Sequence, residues 1–382
     1  MTLDIACVVA ARPNFMKMAP VVEALRARPG ICARLVHTGQ HYDEAMSRVF
    51  FDELGMPAPD VNLDVGSGSH AAQTARVLER FDEWLEAARP DLVVVAGDVN
   101  STLACALAAA KRAIPVAHVE SGLRSRDRAM PEELNRILTD ALADLLFATS
   151  ADAVQNLERE GIDAAKIHLV GNSMIDSLRR HLPAARARRA PERFGVERGG
   201  YAVATIHRPS NVDDPEQLSR VLEALAALSS SLPVVLPVHP RTAARIESMG
   251  AAGAARHSAR RLLVVPPLGY LDFLGLMEAA RLVLTDSGGV QEETTALGVR
   301  CITLRDTTER PITMTEGTNR LIGSDPASIL PAASEALAAG PIEARMPALW
   351  DGYAGERIAA VLARQPASGS SERREKTSPA TV

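Results

Sequence analysis

A glycine-containing turn near the C-terminal end of the chain has the residue types of an anion-binding site. The segment LVLTDSGGVQEETTALG runs from Leu282 to Gly298. Its first residues predict a buried parallel strand, Ser287-Gly288-Gly289 predicts a tight turn, and Val290 begins a predicted helix. Such a turn exposes free backbone N–H groups to an anion, and glycines allow its close approach. The segment predicts a phosphate-binding pocket, although an ordinary strand–helix connection has the same residues.

Polar residues also follow the other predicted strands, where ligands of open α/β sheets bind. In the first half they are Arg12, Lys17, Gln40, His41, Asp43, Asp98, Asn100, His118, Glu120, Arg124, Glu132, Glu133, Asn135 and Arg136. In the second half they are His207, Arg208, His239, Arg241, Asp286, Ser287, Arg305, Asp306, Glu309 and Arg310. Cations and histidines occur in both halves, whereas carboxylates concentrate in the first.

This asymmetry suggests that the two halves of the chain bind different parts of one ligand. Ser287, Gly288 and Gly289 would hold a diphosphate, with Arg310 as a planar donor. Glu293, one turn into the helix, could accept hydrogen bonds from a ribose. The first half would present its carboxylates to the rest of the ligand. A sugar nucleotide fits this pattern.

The elements that position these residues alternate between short apolar runs and helical stretches, which predicts doubly wound parallel sheets. Strands are predicted at Asp4–Ala10, Leu35–Thr38, Leu92–Gly97, Val116–Glu120, Leu145–Thr149, Ile167–Gly171, Tyr201–Ile206, Val234–Val238, Leu262–Val265, Leu282–Thr285, Cys301–Leu304 and Asn319–Ile322. Predicted helices include Lys17–Arg26, Asp43–Leu54, Ala71–Ala88, Ser101–Arg112, Pro215–Ser229 and Tyr270–Ala280. The polar stretch His181–Gly200 predicts a linker with an entry helix, so we expect domains at 1–178 and 179–349. The polar residues 365–382 predict a disordered tail.

Composition limits the function classes. A chain of 382 residues with 47% hydrophobic content favours two domains with substantial cores. The net charge of −5 argues against nucleic-acid binding. The cysteines Cys7, Cys32, Cys105 and Cys301 mostly lie in apolar runs, which predicts buried thiols in a reducing compartment. We find no basic leader, membrane-spanning run, Walker lysine motif, GxGxxG after the first strand or HExxH in the sequence, so we expect a cytoplasmic protein without metal or membrane contact.

Nine motifs together resemble one family. They are ARPNFMKMAP, TGQHYDEAMS, GDVNSTLA, HVESGLRS, MPEELNRILTD, HRPSN, HPRT, DSGGVQEET and TERPITMTEGT. From residue 3 to about residue 325, their order and spacing resemble the non-hydrolysing UDP-N-acetylglucosamine 2-epimerases. The resemblance implies α/β architecture of the GT-B type, with two Rossmann-like doubly wound domains that face a cleft. It also implies a C-terminal helix at about 350–364 that packs back on the first domain, and a homodimer.

The resemblance further implies interconversion of UDP-GlcNAc and UDP-ManNAc by elimination of UDP and re-addition to 2-acetamidoglucal. This route needs a base near C2 and groups that stabilise the departing diphosphate, but no cofactor. By motif, the acid–base residues are Asp98, Glu120, Glu132 and His207. The candidate substrate- and UDP-binding residues are Arg12, Lys17, Arg136, His239, Ser287, Gly288, Gly289, Glu293 and Arg310.

The chain departs from the family pattern at three positions. Asn14 stands where many members have Glu, Ser210 replaces a Glu, and Ala72 stands where an allosteric segment has Arg. Strong activation by substrate through that segment is therefore not expected. Three alternatives remain open from the sequence: an epimerase or hydrolysing epimerase for a related UDP-sugar such as a UDP-2,3-diacetamido uronic acid, a GT-B glycosyltransferase, and a UDP-sugar sensor.

Overall fold

The structure is a computed structural model that describes residues 2–39, 55–238, 240–249, 261–340, 342 and 345–367. Several predicted features lie outside the described residues, namely the helix Asp43–Leu54, the polar residues Gln40, His41 and His239, the side chains of Arg12 and Arg241, and the tail from residue 368. Contacts divide the chain into two compact units. The first comprises the described residues up to Ser177 and from Ala348 onward, and the second comprises Leu178–Pro347.

The first unit contains a seven-stranded parallel sheet in the order β3-β2-β1-β4-β5-β6-β7. The strands are β1 (Leu3–Val9), β2 (Ile31–His37), β3 (Val61–Asn62), β4 (Leu92–Ala96), β5 (Val116–Ser121), β6 (Leu145–Ala148) and β7 (Ile167–Leu169). The helices are Arg12–Arg26, His70–Ala88, Asn100–Lys111, Pro131–Leu142, Ala151–Arg159, Ser173–Ala187, which continues into the second unit, and Ala354–Leu362, with a 3₁₀ turn at Ala164–Lys166. The central strand β4 is an unbroken apolar run because helices cover both faces of a parallel sheet.

The second unit contains a six-stranded parallel sheet in the order β10-β9-β8-β11-β12-β13. The strands are β8 (Ala202–Thr205), β9 (Val234–Pro237), β10 (Leu262–Val265), β11 (Leu282–Thr285), β12 (Arg300–Thr303) and β13 (Asn319–Leu321). The helices are Ala190–Arg193, Pro209–Val212, Pro215–Ser229, Pro240–Ser248, Tyr270–Ala279, Gly288–Leu297, Ile312–Thr315 and Ile329–Ala338, with a 3₁₀ turn at Pro326–Ser328. Small and branched side chains, including Ala202, Val234 and Leu282, form its core.

Both sheets reverse their strand order at one point. In the first the reversal lies between β1 and β4, and in the second it lies between β8 and β11. Loops at the carboxyl ends of two such strands diverge and leave a crevice that holds ligands in doubly wound folds. The predicted pair of doubly wound Rossmann-like sheets is confirmed.

Several local predictions were wrong. The first helix begins at Arg12 rather than Lys17, because Pro13 suits the first helical turn. The helix Ser173–Ala187 runs through Pro183 into the predicted linker, since His181 and Ala185 are buried there. The two-residue strand β3 was too short to predict. Cys32 is exposed at the start of β2, whereas Cys7, Cys105 and Cys301 are buried.

The C-terminal helix Ala354–Leu362 packs within the first unit. A Cβ atom on Gly355 would lie 2.7 Å from the carbonyl oxygen of Pro20 in the first helix. The backbone N–H of Gly355 donates to Asp176 at 2.7 Å, and the indole N–H of Trp350 donates to the carbonyl of Thr149 at 2.9 Å. None of the helices in the described part of the chain has the length and apolar character needed to cross a membrane.

Candidate active site

At the reversal point of the seven-stranded sheet, a buried cation meets a buried carboxylate. Lys17, in the helix that follows β1, forms an ion pair with Glu120 of β5, and their side chains are 6% and 4% exposed. Gly97, which follows β4, has a φ of +69°, and a Cβ atom there would lie 2.8 Å from Lys17 Nζ and 3.2 Å from Glu120 Oε2. Glycine is therefore required at position 97 both by backbone conformation and by space.

Glu120 itself has a backbone conformation that is unusual for a side-chain-bearing residue. Its φ is +68°, and the pairing of β5 with β6 shifts register between Val119 and Ser121. Bulges of this kind occur next to functional sites, where they change the direction in which a side chain points. Backbone strain of about 1–3 kcal/mol persists only where surrounding contacts hold it, which makes Glu120 a candidate functional residue on structural grounds alone.

Asp98 lies next to Gly97 and is held by residues of the helix Pro131–Leu142. Arg136 Nη1 lies 2.5 Å from Asp98 Oδ2, and Asn135 Nδ2 donates to the carbonyl of Asp98 at 2.9 Å. The side chain of Asp98 is 22% exposed whereas that of Arg136 is 2% exposed. The carboxylate is thus fixed by a buried guanidinium while one part of it still reaches the surface of the unit.

Two adjacent glutamates of the same helix differ in their surroundings. Glu133 is buried and accepts from the backbone N–H groups of Ser125 and Arg126, at 2.9 and 2.8 Å. Burial alone would raise the pKa of Glu133, but these donors and Arg136 hold it below its ordinary value. The Glu132 side chain is half-buried and has no hydrogen bond or ion pair among the residues that the structure describes. Glu133 therefore shapes the loop, and Glu132 is available to a ligand.

In the second unit, Asp286 organises the reversal point between β8 and β11. Its carboxylate accepts from the backbone N–H groups of His207 and Arg208, at 3.0 and 2.8 Å, and from Asn211 Nδ2 at 3.0 Å. It also lies 2.9 Å from His207 Nδ1. Burial would raise the pKa of Asp286, but these contacts, with His207 foremost, keep it lowered. Asp286 orients His207, whose side chain is 55% exposed.

The predicted anion-binding turn lies at the start of the helix Gly288–Leu297. Ser287 precedes this helix and gives it no side-chain cap, so the first-turn N–H groups can bind an anion. Arg310 lies directly over Gly288: a Cβ atom at position 288 would collide with the Arg310 guanidinium and with Glu309. Arg310 Nε lies 3.0 Å from Glu292, and Nη1 forms an ion pair with Glu309. The two carboxylates hold a guanidinium fork beside the turn.

The structure thus brings together two groups of predicted residues, each within one unit. The first group contains Lys17, Asp98, Glu120, Glu132 and Arg136, and the second contains His207, Ser287, Gly288, Gly289, Glu293 and Arg310. Glu293 is buried in the first helical turns. The position of His239 and the side chain of Arg12 are not described. In the described residues, no three His, Cys, Asp or Glu side chains form a group that could hold a metal ion.

Several supporting residues were not predicted as site residues. Asn14 is buried, donates to the carbonyl of Ala96 at 2.6 Å and accepts from the N–H of Ala11 at 3.1 Å. An amide can donate and accept at once, which explains locally why Asn suits this position. Asp286 and Glu133 were visible as polar residues within motifs, but their partners lie too far away in sequence to be inferred.

Known proteins similar to this chain agree with the motifs. A family model described as UDP-N-acetylglucosamine 2-epimerase matches residues 23–363. The chain is 41% identical to UDP-N-acetylglucosamine 2-epimerase of Methanococcus maripaludis, over 85% of this chain and 89% of that protein. It is also 41% identical to UDP-2,3-diacetamido-2,3-dideoxy-D-glucuronate 2-epimerase of Pseudomonas aeruginosa, over 95% of this chain and 100% of that protein.

A solved structure, Methanocaldococcus jannaschii UDP-GlcNAc 2-epimerase in complex with UDP-GlcNAc and UDP, is similar with a TM-score of 0.87. The sequence identity is 40%, with 94% of this chain and 99% of that chain covered. This similarity confirms the predicted α/β fold of the GT-B type. The chain belongs to the UDP-N-acetylglucosamine 2-epimerase family.

Proposed function

We propose that this protein is a non-hydrolysing UDP-GlcNAc 2-epimerase that interconverts UDP-GlcNAc and UDP-ManNAc. The observation that carries the proposal is the pair of reversal points, one with carboxylates and a lysine and the other with an uncapped helix N-terminus under a guanidinium. The carboxylates suit proton transfer, and the helix terminus with Arg310 suits a diphosphate.

The chemistry follows from the poor acidity of the C2–H bond, which has no adjacent carbonyl. A base removes the C2 proton while the C1–O bond breaks, which gives UDP and 2-acetamidoglucal. UDP oxygen then adds back to C1, and an acid protonates C2 from the opposite face. Two proton-transfer groups are needed, and we assign them to the set Asp98, Glu120, Glu132 and His207.

The departing UDP carries the negative charge that develops in this reaction. We assign its stabilisation to the first-turn N–H groups of Gly288 and Gly289, to the Ser287 hydroxyl and to Arg310, with Glu293 for the ribose. Lys17 and Arg136 hold Glu120 and Asp98. Arg12 and His239 remain proposed UDP-binding residues on the basis of their motifs alone.

Proton NMR of UDP-GlcNAc incubated with the protein in deuterium oxide tests the proposal. We expect UDP-ManNAc and recovered UDP-GlcNAc that both carry deuterium at C2. Free ManNAc with UDP would instead identify a hydrolysing enzyme. Binding of UDP-GlcNAc without any turnover would contradict the proposal and favour a sensor, and turnover that requires an added sugar acceptor would favour a glycosyltransferase.

A second candidate substrate is a UDP-2,3-diacetamido uronic acid, because the similar Pseudomonas aeruginosa protein is named for such a sugar and matches over its entire length. The two substrates differ at C3 and C5, outside the bonds that react. Steady-state kinetics with each purified UDP-sugar decides between them. A kcat/KM for the uronic acid that exceeds the value for UDP-GlcNAc would overturn the first assignment.

We also propose that the protein is a cytoplasmic homodimer. Leu134 and Leu138, one helical turn apart, are 38% and 49% exposed, and the opposite face of their helix carries Glu133 and Arg136. A second copy of the chain would cover these leucines and thereby fix the helix that presents the acidic residues.

The proposed location in the cytoplasm rests on the thiols. Cys7, Cys105 and Cys301 are buried and unpaired with one another, which suits a reducing compartment, and cell fractionation tests that location.

A further inference from the structure

A histidine–carboxylate pair is buried behind the strand ends of the first unit. His118, in β5, is 0% exposed, and Asp140, in the helix Pro131–Leu142, is 1% exposed. His118 Nδ1 lies 2.6 Å from Asp140 Oδ1, and His118 Nε2 lies 2.8 Å from the carbonyl oxygen of Gly97. The mechanism proposed above does not use either residue.

The pair is joined to two further charged residues, the buried Arg124 and the exposed Glu160. Arg124 Nη2 lies 2.7 Å from Asp140 Oδ2 and 2.6 Å from Glu160. Burial alone would raise the pKa of Asp140, but His118 and Arg124 hold it below its ordinary value. Both ring nitrogens of His118 lie within hydrogen-bond distance of an oxygen atom, one of Asp140 and one of Gly97.

These contacts join the two strand ends that carry Asp98 and Glu120. The carbonyl bound by His118 belongs to Gly97, which directly precedes Asp98. The second oxygen of Asp140 accepts the N–H of Gly122 at 3.0 Å, two residues after Glu120. Gly97, Glu120 and Gly122 all have positive φ values, of +69°, +68° and +81°. The two glycines adopt this conformation without strain, whereas Glu120 keeps it only where surrounding contacts hold it.

We propose that His118 is a positioning residue for the epimerisation: held by Asp140, it fixes the Gly97 carbonyl and so the placement of Asp98 relative to Glu120. This inference rests on the proposed function. A misplacement of a catalytic group by about 1 Å can cost about 100-fold in rate. Loss of the Gly97 contact should therefore lower kcat and leave the KM for UDP-GlcNAc nearly unchanged.

Two substitutions of His118 separate its two contacts. In His118→Gln, the side-chain amide nitrogen occupies the place of Nε2 and can still donate to Gly97. In His118→Asn, it occupies the place of Nδ1 and can donate to Asp140 only. We expect His118→Gln to keep kcat within about fivefold of wild type and His118→Asn to lose about 100-fold, both with KM within about threefold. Equal losses in the two variants, or wild-type kcat in both, would overturn the proposal.

A matched control removes a buried polar contact at the other end of the same sheet. Asp91 Oδ2 accepts the N–H of Asp4 at 2.8 Å, so Asp91→Ala should lower the melting temperature and leave kcat unchanged. If His118→Asn does not fold, Asp140→Asn replaces it. Asn has a single acceptor oxygen and cannot accept from both His118 and the Gly122 N–H, so a kcat loss of about tenfold is expected, and wild-type kcat in Asp140→Asn would refute the inference. A wild-type protein without turnover would refute the proposed function instead.

Discussion

Lys17 and Glu120 form a buried ion pair between the first helix and the fifth strand, 103 positions apart in the sequence. The pair lies against Gly97, where there is no space for a side chain. Removing one member of a buried pair is more damaging than replacing both, because the remaining charge loses its compensation.

Lys17→Met is therefore expected to lower the free energy of unfolding by about 3–5 kcal/mol. The double variant Lys17→Met, Glu120→Gln should recover part of that loss. Urea denaturation of the two single variants and the double variant measures the coupling energy. If the double variant loses the sum of the unfolding free energies that the two single variants lose, the two side chains do not stabilise each other.

Asp98→Asn should abolish most turnover while it preserves the binding of UDP. Asn keeps the shape of the side chain but cannot accept a proton, and general acid–base catalysis contributes about 10²–10⁴ in rate. Isothermal titration with UDP and the deuterium-exchange assay measure the two properties. Asp163→Asn, at a surface turn of the same unit, is the control. Normal turnover in Asp98→Asn would remove Asp98 from the catalytic set.

Gly288→Ala should weaken UDP binding by about 10–100-fold, which corresponds to about 1.4–2.7 kcal/mol. The added methyl group would collide with the guanidinium of Arg310 and with Glu309, so the guanidinium must move away from the turn. Gly340→Ala is the control, since a Cβ atom there meets nothing within 4 Å. Unchanged UDP affinity in Gly288→Ala would mean that Arg310 does not act together with this turn.

Asp176 should make stability depend on pH. Burial raises its pKa from 3.8 to about 6, although the N–H groups of Gly355 and Ala354 partly oppose this. The folded state then binds the proton more tightly, so this contribution is complete below about pH 4 and is lost as the pH rises through about 6. Between pH 4 and pH 7, wild type should lose ~2–3 kcal/mol more stability than Asp176→Asn. Parallel curves of unfolding free energy against pH would contradict the raised pKa.

Leu134→Gln with Leu138→Gln should convert the proposed dimer into a monomer. The two side chains are the exposed face of a helix whose other face holds Asp98 through Arg136. Light scattering after size-exclusion chromatography measures the mass, with Leu169→Gln, also 38% exposed, as the control. A wild-type monomer, or a dimer that persists in the double variant, would exclude this face as the interface.

The sequence alone was sufficient to predict the two parallel sheets and the turn between the strand Leu282–Thr285 and the helix that follows it. Short apolar runs such as Leu282–Thr285 and the periodic stretch Pro215–Ser229 have the bounds that were predicted. These features depend on local preferences: β-branched and aliphatic residues in buried strands, Pro in the first helical turn, and Gly in a turn next to a helix. The motif order was sufficient to predict the family.

Only the tertiary structure could decide which side chains meet. Lys17 with Glu120, His118 with Asp140, and Arg310 with Gly288 are pairs whose members come from different elements. Residue type predicts that each can form an ion pair or approach a backbone, but the partner depends on strand order and on the register of the sheet. The bulge that turns Glu120 to a positive φ has the same origin, since it arises from the pairing of β5 with β6 and not from the preference of a glutamate.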